Sequence, residues 1–256
     1  MSGEPLFRGV GVALLTLFDA NGDLAAEATA DHAARLVEAG VGGVLVAGTT
    51  GEAAALEPSE RLEVVRAVRA ALPTHVPVIA GTGAPSTRQA VALTTAACDN
   101  GADAVLVLSP PRVADPRPYY DAVAKAAGAT PVLAYHFPLA SSPGIRVEDL
   151  PDLPVVGCKD SSGDAGRLLR TLGRFEGALW VGSPVLTLLA GATGATGAIL
   201  ALANLAPEAG LAAWRGDVEA QRELAELHEA TMSRFPGELK ERTAARYGTP
   251  VTARQG

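Results

Sequence analysis

Short apolar segments, many of them β-branched, recur at residues 9–18, 41–48, 76–83, 102–110, 131–137, 155–162, 178–183 and 195–204. No other feature constrains the fold as much. The segments do not alternate cleanly with polar residues, which is the pattern of strands covered on both faces. Most of the intervals between them carry helical patterns. In "PSERLEVVRAVRAAL", Pro58 suits a first helical turn, and Leu62, Val65, Val68 and Leu72 fall on one face. In "DHAARLVEAG", Gly40 reads as a helix stop. "APSTRQAVALTTAACDNGA" repeats the unit ahead of the fourth strand, while the helices after the fifth and seventh ("RVEDL" and "PVLTLLAG") look short. Eight such units in succession predict an α/β fold, a (β/α)8 TIM barrel over residues 1–207. Residues 208–256 are amphipathic and helical in pattern, and are expected to form a C-terminal helical extension packed on the barrel.

An open doubly wound sheet is the competing architecture. It would usually carry a phosphate-cradling G-x-G-x-x-G after its first strand. Here that strand runs into "FDANGD" instead, and "GTGAPS" and "GATGATG" have the wrong spacing or place and read as tight turns. The chain has 256 residues, 48% of them hydrophobic and 19% charged, so it can bury a large core. Its net charge of −7 and lack of a basic stripe argue against nucleic acid as a partner. No apolar run reaches the roughly 18 residues of a membrane helix, and "MSGEPLFRGV" lacks the plan of a signal peptide. With only Cys98 and Cys158 there is no disulfide framework, and a reducing cytoplasm is the expected location. Cys98 is expected to be buried on a helix and Cys158 to serve packing.

In a barrel of this kind the chemistry sits at the carboxyl ends of the strands. Thr49 and Thr50 leave the second strand in "AGTTGE", Tyr135 lies near the end of the fifth in "AYHFP", and the sixth ends at Lys159 in "VVGCKDSSGD". Each has a plainer reading. A strand-end lysine usually pairs with a carboxylate or reaches to water, and a tyrosine is more often a core aromatic. "GTTGE" can be no more than a capped turn, with Glu52 supporting it, although its N–H groups and hydroxyls can hold a carboxylate. By parity Lys159 shares a face with Gly157 and Val155, and Asp160 faces the other way. If that face is the barrel interior, the ammonium is desolvated and its pKa falls. A neutral amine is the nucleophile that makes a Schiff base with a ketone.

"GTTGE" at 48–52, "YHFP" at 135–138 and "KDSSGD" at 159–164 stand in the order and at about the spacing of the dihydrodipicolinate synthase / N-acetylneuraminate lyase family of pyruvate-handling class I aldolases. The chain resembles that family from about residue 6 to residue 250. The resemblance implies that Lys159 forms an imine with pyruvate or a related 2-oxo acid, and that Tyr135 shuttles protons. It implies that Thr49 and Thr50 hold the carboxylate, with Gly48, Gly182 and Ile199 around the same substrate. It implies no metal or organic cofactor, an aldehyde as second substrate, and a homotetramer, or a homodimer given the short C-terminal part. His32, His75, His136 and His228 show no ligand spacing.

The departures narrow the substrate. Pro111 and Arg112 stand where the synthase branch has tyrosines, and Tyr119 and Tyr120 fall in the following helix. Ala140 stands where that branch has an arginine for its aldehyde's carboxylate. Ser183 and Pro184 replace the acidic residues with which the neuraminate branch grips sugar hydroxyls. The expectation is therefore a lyase or aldolase for another electrophile, with Arg112 as a possible anchor for an anionic group on it. Dihydrodipicolinate synthase proper is one alternative. A non-turnover 2-oxo acid binding protein is another, since barrels host many functions. A sugar-phosphate enzyme using "GATGATG" is a third.

Overall fold

The structure, a computed structural model, describes residues 4–255. The first half runs β1 (Gly9–Ala13), α1 (Ala26–Glu38), β2 (Val44–Val46), α2 (Pro58–Ala71), β3 (Val78–Gly81), α3 (Thr87–Asp99), β4 (Ala104–Leu108) and α4 (Arg117–Ala127). The second half runs β5 (Val132–His136), β6 (Gly157–Asp160), α5 (Ala165–Leu172), β7 (Ala178–Val181), α6 (Thr187–Thr193) and β8 (Gly197–Leu200). Then come α7 (Pro207–Trp214), α8 (Val218–Met232) and α9 (Gly237–Tyr247). Among the described residues the eight strands are parallel and close into a barrel in chain order, with β1 pairing β8 from Gly9–Gly197 to Val12–Leu200. Between β5 and β6 the chain makes only a 3-10 turn over Val147–Asp152, the short interval the sequence announces. Among the described residues no helix is long and apolar enough to cross a membrane.

Local chemistry accounts for the element ends. The α2 start is a capping box, with Glu57 and Glu60 each taking the other's backbone N–H and Pro58 in the first turn. At the end of α1, Gly40 takes a φ of 102°, where an L side chain would be strained. Asp164 caps α5 by accepting the Arg167 N–H at 2.9 Å.

Alternation along the strands separates two apolar layers. Val10, Val12, Val44, Val46, Val105 and Val107 face outward and pack against the helices. Leu45, Ile79, Leu106, Leu133, Tyr135, Trp180 and Ile199 point inward. Phe7 closes the amino-terminal end of the barrel, and a Cβ on Gly43 would sit 2.6 Å from its ring. Trp180 fills the middle, 5.5 Å from Phe7, and its indole N–H has no hydrogen-bond partner. Burying about 200 Å² of aromatic surface is worth about 5 kcal/mol. That outweighs the roughly 1–3 kcal/mol lost on one unpaired donor.

Three expectations are revised. The strands are shorter than the apolar segments. β1 ends at Ala13, and beyond it Leu15 and Leu17 pack instead under the carboxyl-terminal helices with Leu202, Leu224 and Leu239. Val155 precedes β6 and packs in the outer layer, so it does not share the inward face of Lys159. Cys98 is half-buried rather than buried, while Cys158 is buried on the outer face of β6. A division of the chain at 207 falls on the first residue of α7, which itself packs against β1 and β8; α8 and α9 lie beyond it.

Candidate active site

β5 and β6 run in register, with Tyr135 opposite Lys159, and Lys159 opposite Trp180 on β7. Lys159 is 4% exposed, and its Nζ lies 4.8 Å from the centre of the Tyr135 ring. Burial pulls its ammonium from the usual 10.5 down to about 7. The neighbouring carboxylate does not counter this. Asp160 points to the outer face, where Arg167 of α5 binds it with a 2.6 Å ion pair. Placing a carboxylate and an amine on adjacent residues of one strand thus puts them on opposite sides of the sheet.

Tyr135 is stacked on Phe137 at 5.8 Å between centroids. Burial raises its phenol, and the hydroxyls of Ser161 and Thr49 work in the opposite direction. Ser161 lies two residues beyond Lys159 and is held by its N–H donating to the His136 carbonyl at 2.9 Å. Gly182 leaves the space these groups need. A Cβ there would stand 1.9 Å from Ser161 Oγ and 2.9 Å from Lys159 Cε.

The threonine turn follows β2. The Glu52 N–H donates to the Thr49 carbonyl at 3.1 Å, and the Ala53 N–H to that of Gly48 at 3.1 Å. Thr50 is buried and Thr49 is exposed. An open cavity of about 850 Å³ adjoins this end of the barrel, running from Thr49, Leu108 and Ser109 outward between α2 and α3. Lys159 does not line it. Ile199 is buried in the same interior cluster as Tyr135 and Trp180. The fold therefore brings Lys159, Tyr135, Thr49 and Gly182 together, with Ile199 in the same barrel interior.

It does not bring Arg112 to them by any side-chain contact. Arg112 is exposed on the loop after β4, with a φ of 63° and its N–H donating to the Ser142 carbonyl at 2.7 Å. Tyr119 and Tyr120 lie on α4. Their hydroxyls are spent on the backbone carbonyls of Ala84 (3.0 Å) and Val107 (2.7 Å). Ser161 is the site residue that motif reading passed over, and its parity with Lys159 was the signal available. His136 lies behind the site, its Nδ1 accepting the Ile145 N–H at 3.0 Å, and burial lowers it to about 4. Among the described residues no group of three or more His, Cys, Asp or Glu side chains could hold a metal ion.

Residues 6–247 match the model of the Dihydrodipicolinate synthetase family. The chain is 38% identical to a 4-hydroxy-tetrahydrodipicolinate synthase of Natronomonas pharaonis, over 85% of this chain and 79% of the relative. It is 36% identical to a protein of Emericella nidulans named as a probable mitochondrial 4-hydroxy-2-oxoglutarate aldolase, over 82% of this chain and 72% of the relative. The dihydrodipicolinate synthase of Acinetobacter baumannii, solved with pyruvate, superposes with a TM-score of 0.84 at 28% identity, covering 93% of this chain and 87% of that one. With a family match over nearly the whole chain and relatives that are lyases of two kinds, the chain belongs to the dihydrodipicolinate synthetase family and is a carbon–carbon lyase of the class I aldolase type.

Proposed function

We propose that Lys159 forms an imine with the C2 keto carbon of pyruvate or a related 2-oxo acid, and that the enzyme makes or cleaves a C–C bond between this acid and an aldehyde. The observation that carries the reading is an amine brought down to about 7 by burial alone, inside a barrel, 4.8 Å from the centre of the Tyr135 ring. The free amine adds to the keto carbon, and uptake of one proton with loss of one water gives the protonated imine. That cation draws electrons from C3, which loses a proton to give an enamine. The enamine carbon attacks the aldehyde carbon and the aldehyde oxygen takes a proton; water then releases the product and restores the amine. Cleavage is the same sequence reversed. Tyr135, with Ser161 and Thr49 beside its hydroxyl, relays the protons. Thr49 and Thr50 hold the carboxylate. The reading calls for no metal or organic cofactor, and an assembly of several copies fits the family.

The electrophile is set by what surrounds the entrance. Ser109, Ala140 and Ser141 line the cavity that opens from Thr49, so position 140 supplies no charge there. This supports an aldehyde other than the synthase substrate, in line with the relative named as an aldolase. The relatives named as synthases keep dihydrodipicolinate synthesis as the second reading. Borohydride trapping with pyruvate, followed by peptide mass spectrometry, tests the first step. A reduced pyruvyl adduct on Lys159 is expected. Absence of an adduct with pyruvate and with longer 2-oxo acids would overturn the reading, and binding without C–C exchange would favour a non-turnover protein.

A further inference from the structure

Two non-glycine residues near the threonine pair have left-handed backbone, Ala47 at a φ of 50° and Glu52 at 52°. Such conformations cost about 1–2 kcal/mol per L-residue and persist only where the surroundings enforce them. Gly81 on β3 makes room at the first, since a Cβ there would lie 2.2 Å from the Ala47 carbonyl oxygen. The second is held from the opposite end of the chain.

Glu52 and Lys240 of α9 are both fully buried, and Lys240 Nζ donates to Glu52 Oε1 at 2.5 Å and to the Thr252 carbonyl at 2.7 Å. The second carboxylate oxygen accepts the backbone N–H groups of Arg254 (2.7 Å) and Gln255 (2.6 Å). The Arg254 guanidinium then forks onto Glu60 at 2.7 Å through both terminal nitrogens and donates to the carbonyls of Gly22 (2.8 Å) and Ala55 (3.0 Å). The Phe18 ring carries both cations, Lys240 at 4.4 Å and Arg254 at 4.2 Å, and its backbone bridges Thr252. Residues 249–255 are in effect a strap drawn across the β1 and β2 loops.

A carboxylate engaged by three donors is poorly placed to give or take substrate protons. Nor is a buried ion pair a stability device in general, because apolar residues of similar volume often do as well or better. What this one does is geometric. Glu52 donates its own N–H to the Thr49 carbonyl, so fixing its side chain fixes the turn that presents both hydroxyls. We propose that Glu52, Lys240 and Arg254 are positioning residues, and that the carboxyl-terminal strap locks the Thr49–Thr50 turn in the shape that receives the substrate carboxylate. This rests on the imine reading above.

Trapping at Lys159 in the full-length protein separates positioning from general support. Two probes are used, pyruvate and acetone, which share the ketone but not the carboxylate. Two variants are used, Arg254→Leu, which loosens the strap at its half-exposed end, and the double variant Glu52→Gln with Lys240→Met, which leaves no unpaired buried charge. Half-saturating pyruvate is expected to rise about tenfold, equivalent to about 1.4 kcal/mol. The maximal trapping rate and the acetone rate stay near those of the parent. Arg254→Lys, which keeps a cation on Phe18, should recover part of the affinity. Unchanged half-saturation, or a parallel fall with both probes, would overturn the proposal. A parent protein that traps neither ketone would instead overturn the imine reading on which it stands.

Discussion

Tyr135 and Lys159 face each other across the β5–β6 register, with the lysine nitrogen 4.8 Å from the centre of the tyrosine ring. Two forces act on the amine in that place. An aromatic face favours the ammonium by about 2 kcal/mol when desolvated. Burial favours the neutral amine, and a fall from 10.5 to about 7 corresponds to about 5 kcal/mol. Burial wins, and the ring serves to carry the hydroxyl rather than to hold a charge.

The pH dependence of imine formation follows. Below about 7 the neutral fraction of Lys159 falls tenfold for each pH unit. The initial trapping rate with pyruvate should therefore rise up to about pH 7 and level off above it. A rate that goes on climbing toward pH 10 would mean an ordinary, solvated lysine.

The same burial is a cost to folding. In the unfolded chain the lysine titrates near 10.4. Between pH 7 and 10 the unfolded state thus holds a proton the folded state lacks, and stability rises with pH across that window. Below 7 both states are protonated and the whole penalty applies. Lys159→Met should abolish trapping and stabilise the protein by a few kcal/mol at pH 6, with the gain fading toward pH 10. Urea unfolding at pH 6 and pH 9.5 measures both ends.

Gly182→Ala separates the site from the scaffold. The new methyl would meet Ser161 Oγ and Lys159 Cε, both side-chain atoms that can move. The barrel should fold, with destabilisation of about 1–3 kcal/mol for overpacking, while the trapping rate falls at least tenfold because the amine is displaced. Normal trapping would show that the lysine does not need this space.

The barrel was legible because its evidence is local and repeated. Eight apolar segments, the Pro58 start of α2 and the Gly40 stop of α1 each declare themselves within a few residues. Where strands end was not legible. Leu15 and Leu17 are as apolar as the strand before them, and only the packing of α8 and α9 decides that they belong to another layer. The site divides in the same way. Lys159, Tyr135 and the threonine pair lie in short motifs. The Lys240–Glu52 contact joins residues 188 positions apart, and Lys240 reads in sequence as one more charge on an amphipathic helix.

Tyr135→Phe keeps the stack on Phe137 and removes only the hydroxyl between Ser161 and Thr49. Loss of a positioned proton relay typically costs 10²–10⁴-fold. The turnover rate should fall in that range with little change in half-saturating pyruvate. An equal rise in half-saturation would mean the hydroxyl binds substrate rather than moving protons.

Arg112 offers the sharpest test of the electrophile. It is exposed, its backbone is anchored to Ser142, and among the described residues its side chain makes no hydrogen bond or ion pair. A solvated charge at this place acts on substrate through a screened field, which decays over about 8 Å at physiological ionic strength. Arg112→Ala should therefore leave the KM for a neutral aldehyde unchanged and raise that for an anionic aldehyde by no more than about fivefold, the equivalent of roughly 1 kcal/mol for an exposed pair. The increase should disappear in 0.5 M salt, well beyond the range where such pairs survive screening. A larger increase that resists salt would place the guanidinium in direct contact with the second substrate, and would make this loop the element that selects it.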